Sequence, residues 1–388
     1  MESKSLHRRN YSRRNFLAAA TALPLVPPAK AAPETRVALA RCQSYGPHLV
    51  PLLGKMFDQI GGLKKLVAGK TVAIKVNLTG AATVRLWYEP AETTYWTHPD
   101  VIGAAIYWFG RAGARRIRIL ESFAEGTKPL EEEMLVAGWE PADLLNAAPR
   151  VEMENTGFLG HGKRYHRLMV PNGGYIYPGF DLNHSYEECD VFVSIAKLKE
   201  HVTAGITGAL KNLFGIAPCT IYGMAAGKDE PAAVPHGGRM MFHTGYRQPS
   251  RSAPQENDFT SPREEGYRVP RIVADLAAAR PIHLSIVEGV ETMTTGEGPW
   301  VAAGRSRKIH YVRPGVMIVG ADPVATDAVA AAVMGFDPMA ERGTPPFETC
   351  DSTLALAERH GLGTRDLARI EVVGEPIRNL VFPFRNYT

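Results

Sequence analysis

Residues 190–215 read DVFVSIAKLKEHVTAGITGALKNLFG. Val191 to Ile195 is an apolar, β-branched run without alternation, as expected of a strand covered on both faces in a parallel sheet. At its carboxyl end the chemistry changes abruptly to Lys197, Lys199, Glu200 and His201. The spacing from Val202 to Phe214 predicts a helix, closed by Gly215 with Pro218 beyond it. Strand, polar junction and helix form the unit of α/β folds, where ligands bind as strands give way to helices.

The same pattern recurs on both sides. Thr71 to Leu78 reads as a strand carrying Lys75 and Asn77 near its end. Thr97 predicts an N-cap, with Pro99 near the first helical position and the helix running through Phe109. Arg116 to Leu120 is the next strand, ending at Glu121-Ser122. Met153 to Tyr177 reads as a hairpin. Downstream, Val269 to Ala279 predicts a helix, and Ile282 to Val287 a strand that ends in Glu288-Gly289. Val316 to Val319 predicts another strand. Asp322 caps an Ala-rich helix begun by Pro323, and a last helix spans Ser352 to His360. Residues 219–268, dense in Gly, Pro, His and Arg, read as a long irregular lid. The fold class is α/β, a mainly parallel sheet with flanking helices. Two lobes are expected, 32–180 and 181–388, the second including 219–268.

The first 31 residues are of a different kind. Ser12-Arg13-Arg14-Asn15-Phe16-Leu17 has the pattern of a twin-arginine export signal, followed by a short apolar stretch and the small-residue site Ala29-Lys30-Ala31. Cleavage near Ala31 and export to the periplasm are expected, with the twin-arginine translocation machinery as a partner. This segment holds six of the 44 Lys and Arg and only one of the 40 Asp and Glu, so the rest of the chain is nearly neutral. That balance gives no reason to expect nucleic acid or an anionic membrane as partner. After the signal no apolar run has the length of a membrane span. Cys42, Cys189, Cys219 and Cys350 are scattered, with no C-x-x-C, so no iron–sulfur cluster is expected in this chain. In an oxidising compartment they are either disulfide-bonded in one of three pairings or free.

The densest chemistry lies in the opening stretch. Lys197, Lys199 and His201 alternate on one side of an extended segment. On the predicted helix, Thr203, Thr207 and Lys211 share a face, with Asn212 beside them. Together with Lys75 and Asn77 this makes a site for a carboxylate or phosphate at a helix N-terminus. His201 and Lys199 are candidates for proton transfer. Asp327, on an apolar helix, needs a cation or donors and is expected to orient a lysine. Glu288 and Glu297 form an acidic loop facing the cations. His201 and His236 are candidate metal ligands, although no close metal-binding spacing occurs.

Ile74-Lys75-Val76-Asn77-Leu78, Thr97-His98-Pro99-Asp100, Asp190 to His201 and Thr207 to Gly215 resemble the signatures of domain-of-unknown-function family 362. Glu288-Gly289, Gly296-Glu297-Gly298-Pro299 and Ala321 to Asp327 are similar to its C-terminal part, so the resemblance covers residues 70–340. Relatives of this kind often look like fusions to ferredoxin-type clusters, whose cysteines this chain lacks. A distant similarity in architecture to nickel-dependent lactate racemase is also expected, without a ligand motif. The resemblance implies kinship and no particular reaction. The residues favour an exported enzyme of redox or isomerase type, with a small anionic ligand and a metal or organic cofactor as its candidate companions. The alternative is a non-catalytic periplasmic ligand-binding or cofactor-maturation protein.

Overall fold

A computed structural model describes residues 35–123, 128–160, 162–234, 236–302 and 308–387. The export signal read at Arg13 and Arg14 lies outside them.

Fourteen strands are present among the described residues: β1 Thr35–Arg41, β2 Thr71–Lys75, β3 Arg116–Glu121, β4 Val151–Asn155, β5 His166–Met169, β6 Gly179–Leu182, β7 Val191–Lys197, β8 Glu200–His201, β9 Gly205–Ile206, β10 Leu284–Gly289, β11 Thr292–Met293, β12 Tyr311–Val312, β13 Val316–Gly320 and β14 Ile370–Gly374. Eight of them form one sheet in the order β14-β1-β13-β10-β7-β2-β3-β4. Every pairing is parallel except the two made by β13. Buried central strands such as β7, mostly apolar and fully covered, are what a parallel sheet with helices on both faces requires. On one face lie helices Leu49–Gln59 and Pro99–Arg111. On the other lie helices Glu265–Ala279, Pro323–Val333 and Thr353–Arg359.

The segments read as two lobes share this sheet, because β2 pairs directly with β7, and residues 33–388 form one compact unit. The hairpin expected between Met153 and Tyr177 is displaced. Val151–Asn155 joins the sheet edge, and the hairpin is β5 with β6. Residues 219–268 are irregular but packed, with short helices Cys219–Tyr222 and Met240–Thr244 burying Ile221, Tyr222, Met241 and Phe242. All four cysteines are buried free thiols. Among the described residues no helix is long and apolar enough to cross a membrane.

The largest correction falls on the helix predicted over Val202–Phe214. The chain instead makes the two-residue hairpin β8–β9, and only Gly208–Asn212 is α-helical, passing into a 3₁₀ turn at Leu213–Ile216. Gly205 and Gly208 sit at φ +76° and +52°, the left-handed region, which interrupts a right-handed helix at both points. Thr203, Thr207 and Lys211 therefore share no helix face.

Candidate functional site

A cavity of about 340 Å³ opens at the carboxyl ends of β2, β3 and β7, where an open α/β sheet places its ligands. Its floor is a buried ion pair. Lys75, the last residue of β2, lies 2.9 Å from the carboxylate of Glu121, the last residue of β3. Glu121 also accepts from the backbone N–H groups of Leu78 and Ser122, both at 2.8 Å. Lys75 Nζ donates further to Asn212 Oδ1 at 3.1 Å and to the Val76 carbonyl. Burial pushes the Lys75 ammonium down from its usual value, and the Glu121 charge opposes that. Asn212, expected to touch ligand, is committed to holding strands together: its amide donates to Lys75 O, Ser194 Oγ and Ile195 O. Asn77 likewise gives its side-chain amide to Tyr95 O.

Above this floor the lining is cationic. Lys199 donates to the Glu297 carbonyl at 2.9 Å. Arg239 reaches in from the irregular segment, its guanidinium held by the carbonyls of Ala217 (2.7 Å), Ser122 (2.5 Å) and Gly215 (3.2 Å). Those bonds fix the group without neutralising it. Lys211 has its Nζ 4.2 Å from the centre of the Phe214 ring and no hydrogen-bond or ion-pair partner among the described residues. Desolvation pushes both Lys199 and Lys211 down to about 7. For Lys211 the charges of Lys199, Arg239 and Lys75 add to the effect, and Glu297 opposes it. Two buried polar atoms in the lining also lack partners, Thr207 Oγ1 and Glu297 Oε2. His201 completes this side. Its Nδ1 accepts the Thr203 N–H at 3.2 Å, which places the proton of the neutral ring on Nε2. His243, packed against the Phe214 ring, and Trp300 also line the cavity.

Four positive side chains thus face two carboxylates around one small volume, and the groups there without a hydrogen-bond partner among the described residues include the Lys211 ammonium, the Thr207 hydroxyl and one Glu297 oxygen. A buried hydroxyl or carboxylate oxygen without a partner is costly unless a ligand or water satisfies it, and Thr207 Oγ1 and Glu297 Oε2 are both of this kind. The arrangement suits a small anion that also offers a donor or a transferable proton to Glu297.

Several predicted site residues lie elsewhere. Lys197 does not stand beside Lys199. It sits opposite Glu288 in the register of β7 with β10 and pairs with that carboxylate, and it donates to Tyr45 Oη (3.2 Å) and the Glu92 carbonyl (2.6 Å). Lys197 stands three positions on from Ser194, whose hydroxyl meets Ala209 and Asn212 on the cavity side, so strand alternation sends Lys197 to the other face of the sheet. Tyr45 Oη donates to Glu288 at 3.0 Å and stacks on His98 at 3.5 Å. Burial, with the Lys197 charge, pushes His98 down to about 3, so this ring stays neutral.

Asp327 meets no lysine. Its carboxylate accepts the backbone N–H groups of Ala209 (2.7 Å) and Leu210 (2.9 Å), so it caps helix Gly208–Asn212. The helix N-terminus expected to hold an anion is thereby occupied by the protein's own carboxylate. Burial pushes Asp327 up to about 7, against the pull of those two N–H groups. Thr203 serves His201 and does not line the cavity. His236 is outside the lining, and no group of three or more His, Cys, Asp or Glu that could hold a metal occurs among the described residues. Thr97 is not the N-cap of helix Pro99–Arg111. That position is taken by His98, whose ring accepts the Asp100 N–H, and the Thr97 hydroxyl ties Asn77 N to Ile195 O.

The family model described as Domain of unknown function (DUF362) matches residues 72–332. The chain belongs to the DUF362 family. That match runs from β2 into helix Pro323–Val333 and so includes Lys75, Glu121, Lys199, Lys211 and Arg239. Among solved structures, this DUF362 chain is similar to the lactate racemase apoprotein from Thermoanaerobacterium thermosaccharolyticum, at 13% identity and a TM-score of 0.34, covering 72% of this chain and 54% of that one. A protein from Thermotoga maritima matches at 14% identity and a TM-score of 0.32, covering 65% and 51%. The chain spans about half the length of each. A search of the curated proteins returns no match.

Glu121, Arg239 and Trp300 are among the cavity residues that sequence reasoning missed. Glu121 carried a usable signal, being a carboxylate at the end of a buried strand beside one that ends in lysine. Arg239 and His243 come from a segment without periodicity, and only the fold brings them in.

Proposed function

We propose that this DUF362 chain is an exported enzyme that binds a small carboxylate or phosphate in the cavity and moves a proton on it. The observation that carries this reading is Lys211 Nζ, unpartnered among the described residues and lining the same volume as the unpartnered Thr207 hydroxyl. Lys211 and Thr207 hold the anionic group, with Lys199 and Arg239 adding charge. Glu297, through Oε2, accepts the proton, and His201 returns one from Nε2. Such a division of labour is that of an isomerase acting next to a carboxylate. Lys75 and Glu121 keep the floor rigid and take no part in transfer. The arginine pair at Arg13 and Arg14 supports delivery to the periplasm in folded form, with any metal or organic cofactor loaded beforehand.

The test is solvent exchange. Small 2-hydroxy and 2-oxo acids are incubated with the protein in heavy water, and the signal of the hydrogen on C2 of the hydroxy acids, or on C3 of the oxo acids, is followed by NMR. The reading expects that signal to disappear for at least one acid, and to persist with Glu297→Gln or His201→Gln. If malonate binds but no acid exchanges, the chain is a ligand-binding protein and the catalytic part of the reading is wrong.

A further inference from the structure

Four lysines, Lys75, Lys197, Lys199 and Lys211, cluster at or near the strand ends, and their surroundings differ in one respect. Lys75 is held by Glu121, Asn212 and the Val76 carbonyl. Lys197 is held by Glu288, Tyr45 and the Glu92 and Glu291 carbonyls. Lys199 donates to Glu297 O. Lys211 Nζ makes no such bond among the described residues, and it faces the cavity beside the flat Phe214 ring. A nearby carboxylate favours the charged ammonium, as Glu121 does for Lys75 and Glu288 for Lys197. For Lys211 the charges of Lys199, Arg239 and Lys75 act against the ammonium, and Glu297 opposes them. That environment favours the neutral amine with its lone pair available, the state in which a lysine attacks a carbonyl.

We infer that Lys211 is a nucleophile that condenses with the carbonyl carbon of a small 2-oxo carboxylate to form an imine. The inference rests on the anion-site reading, because the cations around Lys211 hold the substrate carboxylate while the adjacent carbonyl meets Nζ. In the step, the Nζ lone pair forms a bond to the carbonyl carbon and gives a carbinolamine. The carbon–oxygen bond then breaks, and the oxygen leaves as water with the two protons of the neutral amine. No oxidant or reductant is consumed. Phe214 presents an apolar wall to the substrate carbon, and Thr207 Oγ1 is a donor for the departing oxygen. The substrate class is thereby narrowed from any small anion to one with a carbonyl next to its acid group. Burial and neighbouring cations push Lys211 down to about 7. At neutral pH its neutral fraction therefore exceeds that of an ordinary lysine by about a thousandfold.

The experiment is reductive trapping. The protein is incubated with pyruvate and sodium cyanoborohydride at neutral pH, and the intact mass and a peptide map are recorded. The inference expects a single adduct, heavier by the mass of pyruvic acid less one oxygen, on Lys211, exceeding the adduct at any exposed lysine such as Lys55 by about tenfold or more. Lys211→Arg keeps the charge and cannot form an imine, so it should lose that adduct while retaining the thermal midpoint. Adducts spread evenly over the lysines, or unchanged in Lys211→Arg, would overturn the inference. Malonate binding without any trapped adduct would overturn the covalent step alone and leave the anion site standing. If malonate does not bind either, both the anion-site reading and this inference fall.

Discussion

Replacing Glu121 with glutamine preserves shape and removes one buried charge. In the folded protein that charge accepts from Lys75 Nζ at 2.9 Å and from two backbone N–H groups at 2.8 Å, with both side chains almost wholly out of solvent. The amide still accepts on one oxygen, but its NH₂ group turns a donor toward donors, and Lys75 keeps only Asn212 Oδ1 and a carbonyl. Breaking one side of a buried pair costs about 3–5 kcal/mol. Glu121→Gln should therefore lower the urea midpoint by that amount divided by the m-value, with the m-value unchanged. The loss has a pH signature. Burial already pushes Lys75 down, and the Glu121 charge is what opposes it. Without that charge Lys75 sheds its proton more readily in the folded state than in the unfolded one, so the variant recovers stability as pH rises. Adding Lys75→Met removes the stranded charge and should recover at least about half of the loss at neutral pH. A single-variant loss below about 1 kcal/mol, or a double variant less stable than Glu121→Gln, would refute the reasoning.

Four further outcomes are expected. Asp327→Asn should cost about 2–4 kcal/mol in urea unfolding by replacing a charged acceptor of two N–H bonds, and should leave malonate affinity within about twofold. Gly208→Ala should destabilise by about 2 kcal/mol or more, because φ is +52° and a new Cβ would lie 2.4 Å from the Asp327 carboxyl. Sulfate affinity should fall as pH rises through about 7, where Lys199 and Lys211 lose charge. Because their folded values lie below the usual 10.5, unliganded stability should gain between those pH values, and the gain should shrink in Lys211→Met. The four buried thiols should resist a thiol reagent in the native protein and react fully on unfolding without reductant.

The sheet was legible because each central strand is a short apolar run ending in a polar residue, and because Asp322-Pro323 is a clear start signal, realised by the Asp322 carboxylate accepting Ala325 N–H. Lys75, Lys199, His201, Thr207, Lys211 and Glu297, named from the sequence as candidate site residues, all line one cavity. Local spacing misplaced Lys197, since alternation was extended past the end of β7, where the chain turns into the β8–β9 hairpin. A helix was read through Gly205 and Gly208 because residue spacing does not reveal a positive φ. For Asp327 the sequence showed a need for donors but not that backbone N–H groups would meet it. Arg239, arriving from the irregular segment, depends wholly on tertiary structure.

The central claim is that Lys211, without a hydrogen-bond partner among the described residues, receives an anion. Calorimetric titration of malonate into the wild-type protein and Lys211→Met at pH 6.5, where both lysines carry most of their charge, tests it most directly. One charge-assisted hydrogen bond contributes about 1.5–3 kcal/mol, so the account predicts one site per chain and about a 10- to 150-fold weaker affinity in the variant. Absence of binding to the wild type, or equal affinity in Lys211→Met, would contradict it.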